Sequence, residues 1–279
     1  MEKALEIKEF IKNINIDNFN RIYFGDSFCQ NLIPTKETLL ETYKIISGKN
    51  IKFTLNTPYV TDDGLKKVLT NVELLYKYDN NIEIVFNDWG VFYEIRKNFP
   101  KISLVLGRLL TKQRTDPNSL KMITNTQEKI NDIIPKKVPK SSFEHFQSSI
   151  INDVVFQDYM VDNNIKRVEI EFLVWDMKIK LKDNIKASVY YPFAHISTTR
   201  NCGILNMTYT KCNKMCREVK IEYPMEPSFP FTYTVIGNTV YYNLENILTN
   251  EKLKKYPSID RIVFNDIDAY NRFINDSGN

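Results

Sequence analysis

Short apolar, β-branched runs alternate along this chain with longer stretches whose apolar residues recur at helical spacing. "RIYF" (21–24) precedes "PTKETLLETYKIISG", in which Leu39, Leu40, Tyr43 and Ile46 fall on one helical face and Gly48 can end the helix. The unit then repeats. "IKFTLN" (51–56) leads into "TDDGLKKVLTNVELLYKY", "IEIVFN" (82–87) leads into "DWGVFYEIRKNF", and "ISLVLG" (102–107) follows. Farther on, "SSFEHFQSSIINDVVFQDYMVDNN" reads as helix, and "KRVEIEFL" (166–173) and "KASVYYP" (186–192) read as strands. "DRIVFND" (260–266) is a strand before a closing helix, "IDAYNRFIN". Strands separated by helices form a parallel sheet through right-handed crossovers, and their number predicts an α/β fold of the TIM-like (β/α) barrel type. About seven barrel strands are legible, which leaves an irregular or incomplete barrel open beside a full one, with 1–279 as a single barrel domain.

One stretch breaks the alternation. "FTYTVIGNTVYYN" (231–243) holds two period-two runs joined by Gly237 and Asn238, which predicts a β-hairpin added to the barrel. Hydrophobic residues at 43% and charged residues at 26% exclude a disordered chain. The N-terminal "MEKALEIKEFIKNINIDNF" lacks the apolar core of a signal peptide, and no segment has the roughly 18 apolar residues of a membrane span. The expected location is therefore the cytoplasm. A formal charge of +4, from 38 basic and 34 acidic residues, is too small for a nucleic-acid footprint, although it can assist an anionic ligand. The densest basic run, "IPKKVPK" (134–140), is framed by prolines and reads as a solvated linker rather than a phosphate-binding strip.

Candidate chemistry lies in two places. "IVFND" occurs twice, putting Asn87 and Asp88, and again Asn265 and Asp266, at the C-terminal ends of strands. Such residues cap helices, and at the C-terminal face of a barrel they can also look into a site. The second place is the cysteines. Cys202, Cys212 and Cys216 fall within "RNCGILNMTYTKCNKMCR", and Cys29 lies far upstream just beyond the first legible strand. On a helix or helical turn Cys212 and Cys216 face the same side, and rim loops of a barrel can bring Cys29 and Cys202 to them. In a reducing compartment, clustered thiols point to metal or redox chemistry before disulfides. Zinc, an iron–sulfur cluster and inert buried thiols all remain open on spacing alone. Only one close pair is present, which is not the usual double hook of structural zinc. Lys211, Lys214 and Arg217 surround that pair, as a solvated face or as an offset to thiolate charge.

The run "FNDWGVFYEIRKNFPKISLVLGRLLTKQRTDP" (86–117) resembles the collagenase-like peptidases of the U-thirty-two family, in particular its short, UbiV-like branch. There a strand ending in Asn-Asp-x-Gly is followed by a helix, then by a strand ending in Gly-Arg and a Lys-Gln stretch ending in Asp-Pro. Asn87, Asp88, Gly90, Gly107, Arg108, Lys112, Gln113, Asp116 and Pro117 stand at those places. Family members also carry one cysteine after the first strand and three in a later loop. The resemblance implies a 4Fe-4S cluster held by Cys29, Cys202, Cys212 and Cys216. It implies a component of an oxygen-independent hydroxylase that takes its oxygen from prephenate and works as a heterodimer with a UbiU-like second member. Arg108, with Asn87 and Asp88, would then receive a small anionic substrate, since a guanidinium holds a carboxylate bidentately. An ion pair of Arg108 with Asp88 or Asp116 is the alternative. Longer relatives that act on RNA carry further C-terminal sequence, which argues against a nucleic-acid target here. Two other roles stay in view: a non-catalytic electron-transfer or scaffold subunit, and a peptidase. Proteolysis would need a base beside a nucleophile, and the two histidines are His145 and His195, the latter only seven positions from Cys202.

Overall fold

The computed structural model describes residues 1–9, 15–119, 140–203, 205, 212–224, 232–245 and 247–276. Eight parallel strands close a barrel, in the order β1 (Glu2–Ile7), β12 (Ile259–Phe264), β7 (Lys186–Tyr191), β6 (Ile165–Ile170), β5 (Ser103–Leu106), β4 (Glu83–Phe86), β3 (Lys52–Thr57) and β2 (Arg21–Gly25). The expected TIM-like barrel is present and closed, and the count of about seven strands becomes eight. "EKALEI" is the missing strand, and "RIYF" belongs to the second strand, not the first. Its disguise was physical: Leu5 and Ile7 join the outer core, while Glu6 faces inward and accepts hydrogen bonds from the Asn56 and Asn265 amides at 2.9 and 2.8 Å.

Helices follow the strands on the outside. Thr35 caps α1 (Lys36–Gly48), Thr61 caps α2 (Asp62–Tyr76), and Asp88 caps α3 (Trp89–Asn98). The helix expected over 141–164 is two, α4 (Lys140–Gln147) and α5 (Val154–Asp162). Ser149 accepts from the Ile151 N–H and Asp153 from the Phe156 N–H, so capping residues interrupt an otherwise periodic run. The short α6 (Asn250–Lys254) and the closing α7 (Ile267–Asp276) complete the outer layer. The basic run at 134–139 lies outside the described residues. No described helix is long and apolar enough to cross a membrane.

The barrel interior is layered and unusually polar. At the N-terminal end, Glu2 and Glu83 are clamped between Arg21 and Arg261, with contacts of 2.6–3.1 Å. Above them lies a small apolar layer of Ala4, Tyr23, Val85, Val105, Tyr190 and Val263. Nearest the C-terminal mouth, Glu6, Asn56, Asn265, Arg108 and Glu171 form a second polar layer. Barrel interiors are usually filled by branched aliphatic residues.

A four-stranded antiparallel sheet covers that mouth, ordered β8 (Phe193–Thr198), β11 (Thr239–Asn243), β10 (Thr232–Ile236) and β9 (Ile221–Pro224). Its β10–β11 pair is the expected hairpin. Only Pro192 separates β7 from β8, so the sheet is pinned directly to the rim. The Tyr242 hydroxyl donates to the Phe172 carbonyl at 2.5 Å, the Asn238 amide to the Phe28 carbonyl at 2.9 Å, and Arg108 to the Phe193 carbonyl at 3.0 Å.

Candidate functional site

The loop after β2 carries Cys29, and Asp26 shapes it. One carboxylate oxygen of Asp26 accepts from the backbone N–H groups of both Phe28 and Cys29 at 2.7 Å, and the other pairs with the Lys8 ammonium at 2.6 Å. Lys8 stands just past the end of β1, so the strand the sequence concealed also positions the first cysteine. Cys202 follows β8. Cys212 and Cys216 flank a turn rather than a helix: Lys214 takes a left-handed conformation (φ 64°), and Met215–Arg217 form one 3₁₀ turn.

All four cysteines line a single small cavity, together with Lys8, Asp26, Gly237 and Tyr241. Its free space is about 20 Å³, close to that of one water molecule. Among the described residues, no group of three His, Cys, Asp or Glu side chains is arranged to hold a single metal ion. Burial, with the charge of Asp26 adding to it, pushes the Cys29 thiol up to about 11, and burial likewise raises Cys216. Both are therefore protonated thiols at neutral pH unless an electrophile such as a metal displaces the proton. The hairpin turn forms one wall. Gly237 has φ 63°, which favours glycine, and a Cβ there would stand 3.0 Å from Cys216 Cβ and 3.4 Å from its Sγ, a tight contact that would press on the thiol.

A larger pocket of about 360 Å³ adjoins this cavity, between the ends of β1 and β12 and the covering sheet. Leu5, Ile7, Phe193 and Ile236 supply apolar walls, while Lys8, Arg217 and Lys220 supply cations and Glu6, Glu9 and Asp266 carboxylates. Its size and mixed lining are those of a small-molecule site. Cys216, Lys8, Ile236 and Tyr241 border both spaces. Tyr241 is 4% exposed, and burial raises its hydroxyl pKa above the usual tyrosine range. Burial raises the Glu6 carboxyl above its usual range, against the opposing charges of Lys8 and Arg108. The Lys220 ammonium lies 5.0 Å from the Phe193 ring and has no carboxylate partner among the described residues.

The other residues singled out from the sequence sit elsewhere. Arg108 is fully buried, bound bidentately by Glu171 at 2.5 and 2.7 Å and stacked 3.8 Å from the Tyr190 ring. Its ion-pair partner is thus neither Asp88 nor Asp116. Burial alone would lower its pKa, but the charge and hydrogen bonds of Glu171 raise it. Asn87 ties two rim loops, donating to the Thr57 carbonyl and accepting from the Leu109 N–H at 2.9 and 3.1 Å. A Cβ at Gly107 would stand 2.3 Å from the Asn87 side-chain oxygen, which explains the glycine of the Gly-Arg pair. Asp88 and Asp266 accept from helix-start N–H groups of Gly90 and Ala269. None of Arg108, Asn87 and Asp88 lines the 360 Å³ pocket.

His195 stacks on Phe28 with 4.7 Å between ring centres, and its Nε2 is buried without a hydrogen-bond partner. Burial and the nearby Arg108 charge push its pKa down to about 3, so the ring is neutral. Arg217 pairs with Glu9, and Lys211 lies outside the described residues. Sequence reasoning missed Glu6, Lys8, Asp26, Glu171 and Tyr241. The alternation in "RVEIEF", with Val168 and Ile170 facing out, is the signal that could have found Glu171. No family model matches the chain, and neither curated proteins nor solved structures yield a match.

Proposed function

We propose that this chain is a cytoplasmic iron–sulfur protein of the U-thirty-two, UbiV-like type, in which Cys29, Cys202, Cys212 and Cys216 hold a 4Fe-4S cluster. One observation carries the reading: four cysteines, the whole complement of the chain, come from two connections, one after β2 and one between β8 and β9, and line one cavity at the C-terminal mouth of the barrel. The donor set is all sulfur, which suits zinc or an iron–sulfur centre. With about 20 Å³ free among them, loading requires the thiol side chains to open outward. When bound, a cluster with four cysteine ligands supplies one-electron transfer rather than an open iron for substrate.

The chain's own residues then divide the work. Asp26 and Lys8 hold the Cys29 loop, Gly237 makes room for Cys216, and the adjoining 360 Å³ pocket takes a small anionic substrate beside the Tyr241 hydroxyl. In this reading the pocket, with Lys8 and Lys220, replaces Arg108 as the carboxylate-binding place. The reaction is an oxygen-independent hydroxylation with a prephenate-type oxygen donor, performed with a UbiU-like partner. A role as electron-transfer or scaffold subunit differs only in where turnover occurs. It is separated by assaying the chain alone and with its partner. A thiol peptidase, with His195 activating Cys202, is disfavoured because the buried His195 Nε2 has no hydrogen-bond partner.

The test is anaerobic iron content in single variants. Cys29→Ala, which removes the sulfur most distant in sequence, should lose most of its iron together with Cys202→Ala. Full iron in Cys29→Ala would remove that residue from the centre.

A further inference from the structure

Of the four cysteines, Cys212 is the exposed one. It borders a groove of about 570 Å³ that runs outward between the start of α1 and the side of α2. Lys36, Lys66, Lys67 and Lys214 line this groove, and no carboxylate does. Lys66 has a surface partner in Asp63 at 3.4 Å, with both side chains more than three-quarters exposed; such a pair is weak and screened. Lys36, Lys67 and Lys214 have no carboxylate within ion-pair distance among the described residues. The frame beneath them is fixed: the Asn71 amide donates to the Pro34 carbonyl at 2.9 Å and joins α2 to the start of α1. The first turn of α1 adds its own partial positive charge to the same wall. In a chain whose net charge is only +4, this is a local concentration of cations.

We infer that the groove docks an acidic one-electron-transfer protein, which brings its redox group to the exposed Cys212 edge of the thiol site. The inference rests on reading the four thiols as a redox centre. Carboxylates on the partner complement the lysines, steering encounter and setting orientation. Single-stranded nucleic acid is the less suited polyanion, because it binds through aromatic stacking platforms and the groove lining contains no aromatic side chain. In the transfer, one electron leaves the reduced partner and enters the cysteine-held centre. The partner is oxidised by one electron and the centre reduced by one; no bond forms or breaks.

The experiment titrates the full chain, with and without iron, against a plant-type ferredoxin and a flavodoxin at low and high salt. Saturable binding that weakens with salt is expected in both preparations, because the surface does not need the cluster. Lys36→Glu/Lys67→Glu should weaken it by about tenfold or more while iron content is unchanged. Iron analysis reports separately on the cluster, so failure of the groove and failure of the redox reading are distinguishable. The inference is overturned by no saturable binding to either protein at low salt, or by equal binding in the charge-reversed variant. Lysine-dependent binding of a single-stranded RNA oligonucleotide without binding of the acidic proteins also overturns it.

Discussion

Replacing Arg108 by methionine tests whether the mouth of the barrel is held by a buried ion pair or offers a free guanidinium. In the folded chain the Arg108 and Glu171 side chains are 1% and 2% exposed, and Glu171 also accepts from the His195 N–H at 3.0 Å. Arg108→Met leaves that carboxylate with one neutral donor and strips the Phe193 carbonyl of the guanidinium. Breaking a buried pair from one side costs about 3–5 kcal/mol, a third or more of a stability on the order of 10 kcal/mol. Arg108→Met/Glu171→Leu removes both charges, so the double variant should fall about 2–3 kcal/mol short of the sum of the single losses. Urea titration followed by tryptophan fluorescence measures all four proteins. A loss below about 1 kcal/mol in Arg108→Met, or strict additivity, would refute the reasoning. It would also return Arg108 to the substrate-binding role the sequence suggests.

His195 and Gly237 at the same mouth, and Glu83 at the opposite end of the barrel, give three further tests. His195 titrates near 6.5 when unfolded but only at about 3 when folded. Its folded value is depressed, so stability is full above about pH 6.5 and is lost as pH falls from there toward 3. At about pH 5 the loss is about 2 kcal/mol, and His195→Phe, which keeps a ring on Phe28, should flatten the urea midpoint between about pH 7 and 5. Burial would raise Glu83, yet Arg261 and Arg21 hold it at about 2, so its contribution disappears only below about pH 4.5, a separate window. Gly237→Ala should destabilise by about 1 kcal/mol or more through its positive φ. It should also lower iron retention, because the added methyl crowds Cys216; unchanged iron after anaerobic reconstitution would separate the turn from the thiol site.

The legibility of this chain follows the physics of each element. Seven strands showed through because apolar runs alternated with helical periods. β1 did not, because Glu2 and Glu6 occupy inward positions where barrels usually place aliphatic residues. Asp88 and Asp266 were readable as helix caps, and the structure puts them there. The four cysteines stood out because they are scarce, whereas the pocket beside them was hidden. Its walls come from β1, the segment beyond β12 and the covering sheet, so Lys8, Lys220 and Tyr241 meet only through tertiary packing. Arg108 was conspicuous for its charge, and its partner Glu171 was concealed inside an apparently apolar strand.

The account stands on one centre built from all four thiols. The direct measurement is iron, acid-labile sulfide and zinc per chain in anaerobically purified protein, with EPR after reduction. The expected result is about four irons and about four sulfides, with a reduced-cluster signal. Stoichiometric zinc, or no metal in a fresh anaerobic preparation, would contradict it.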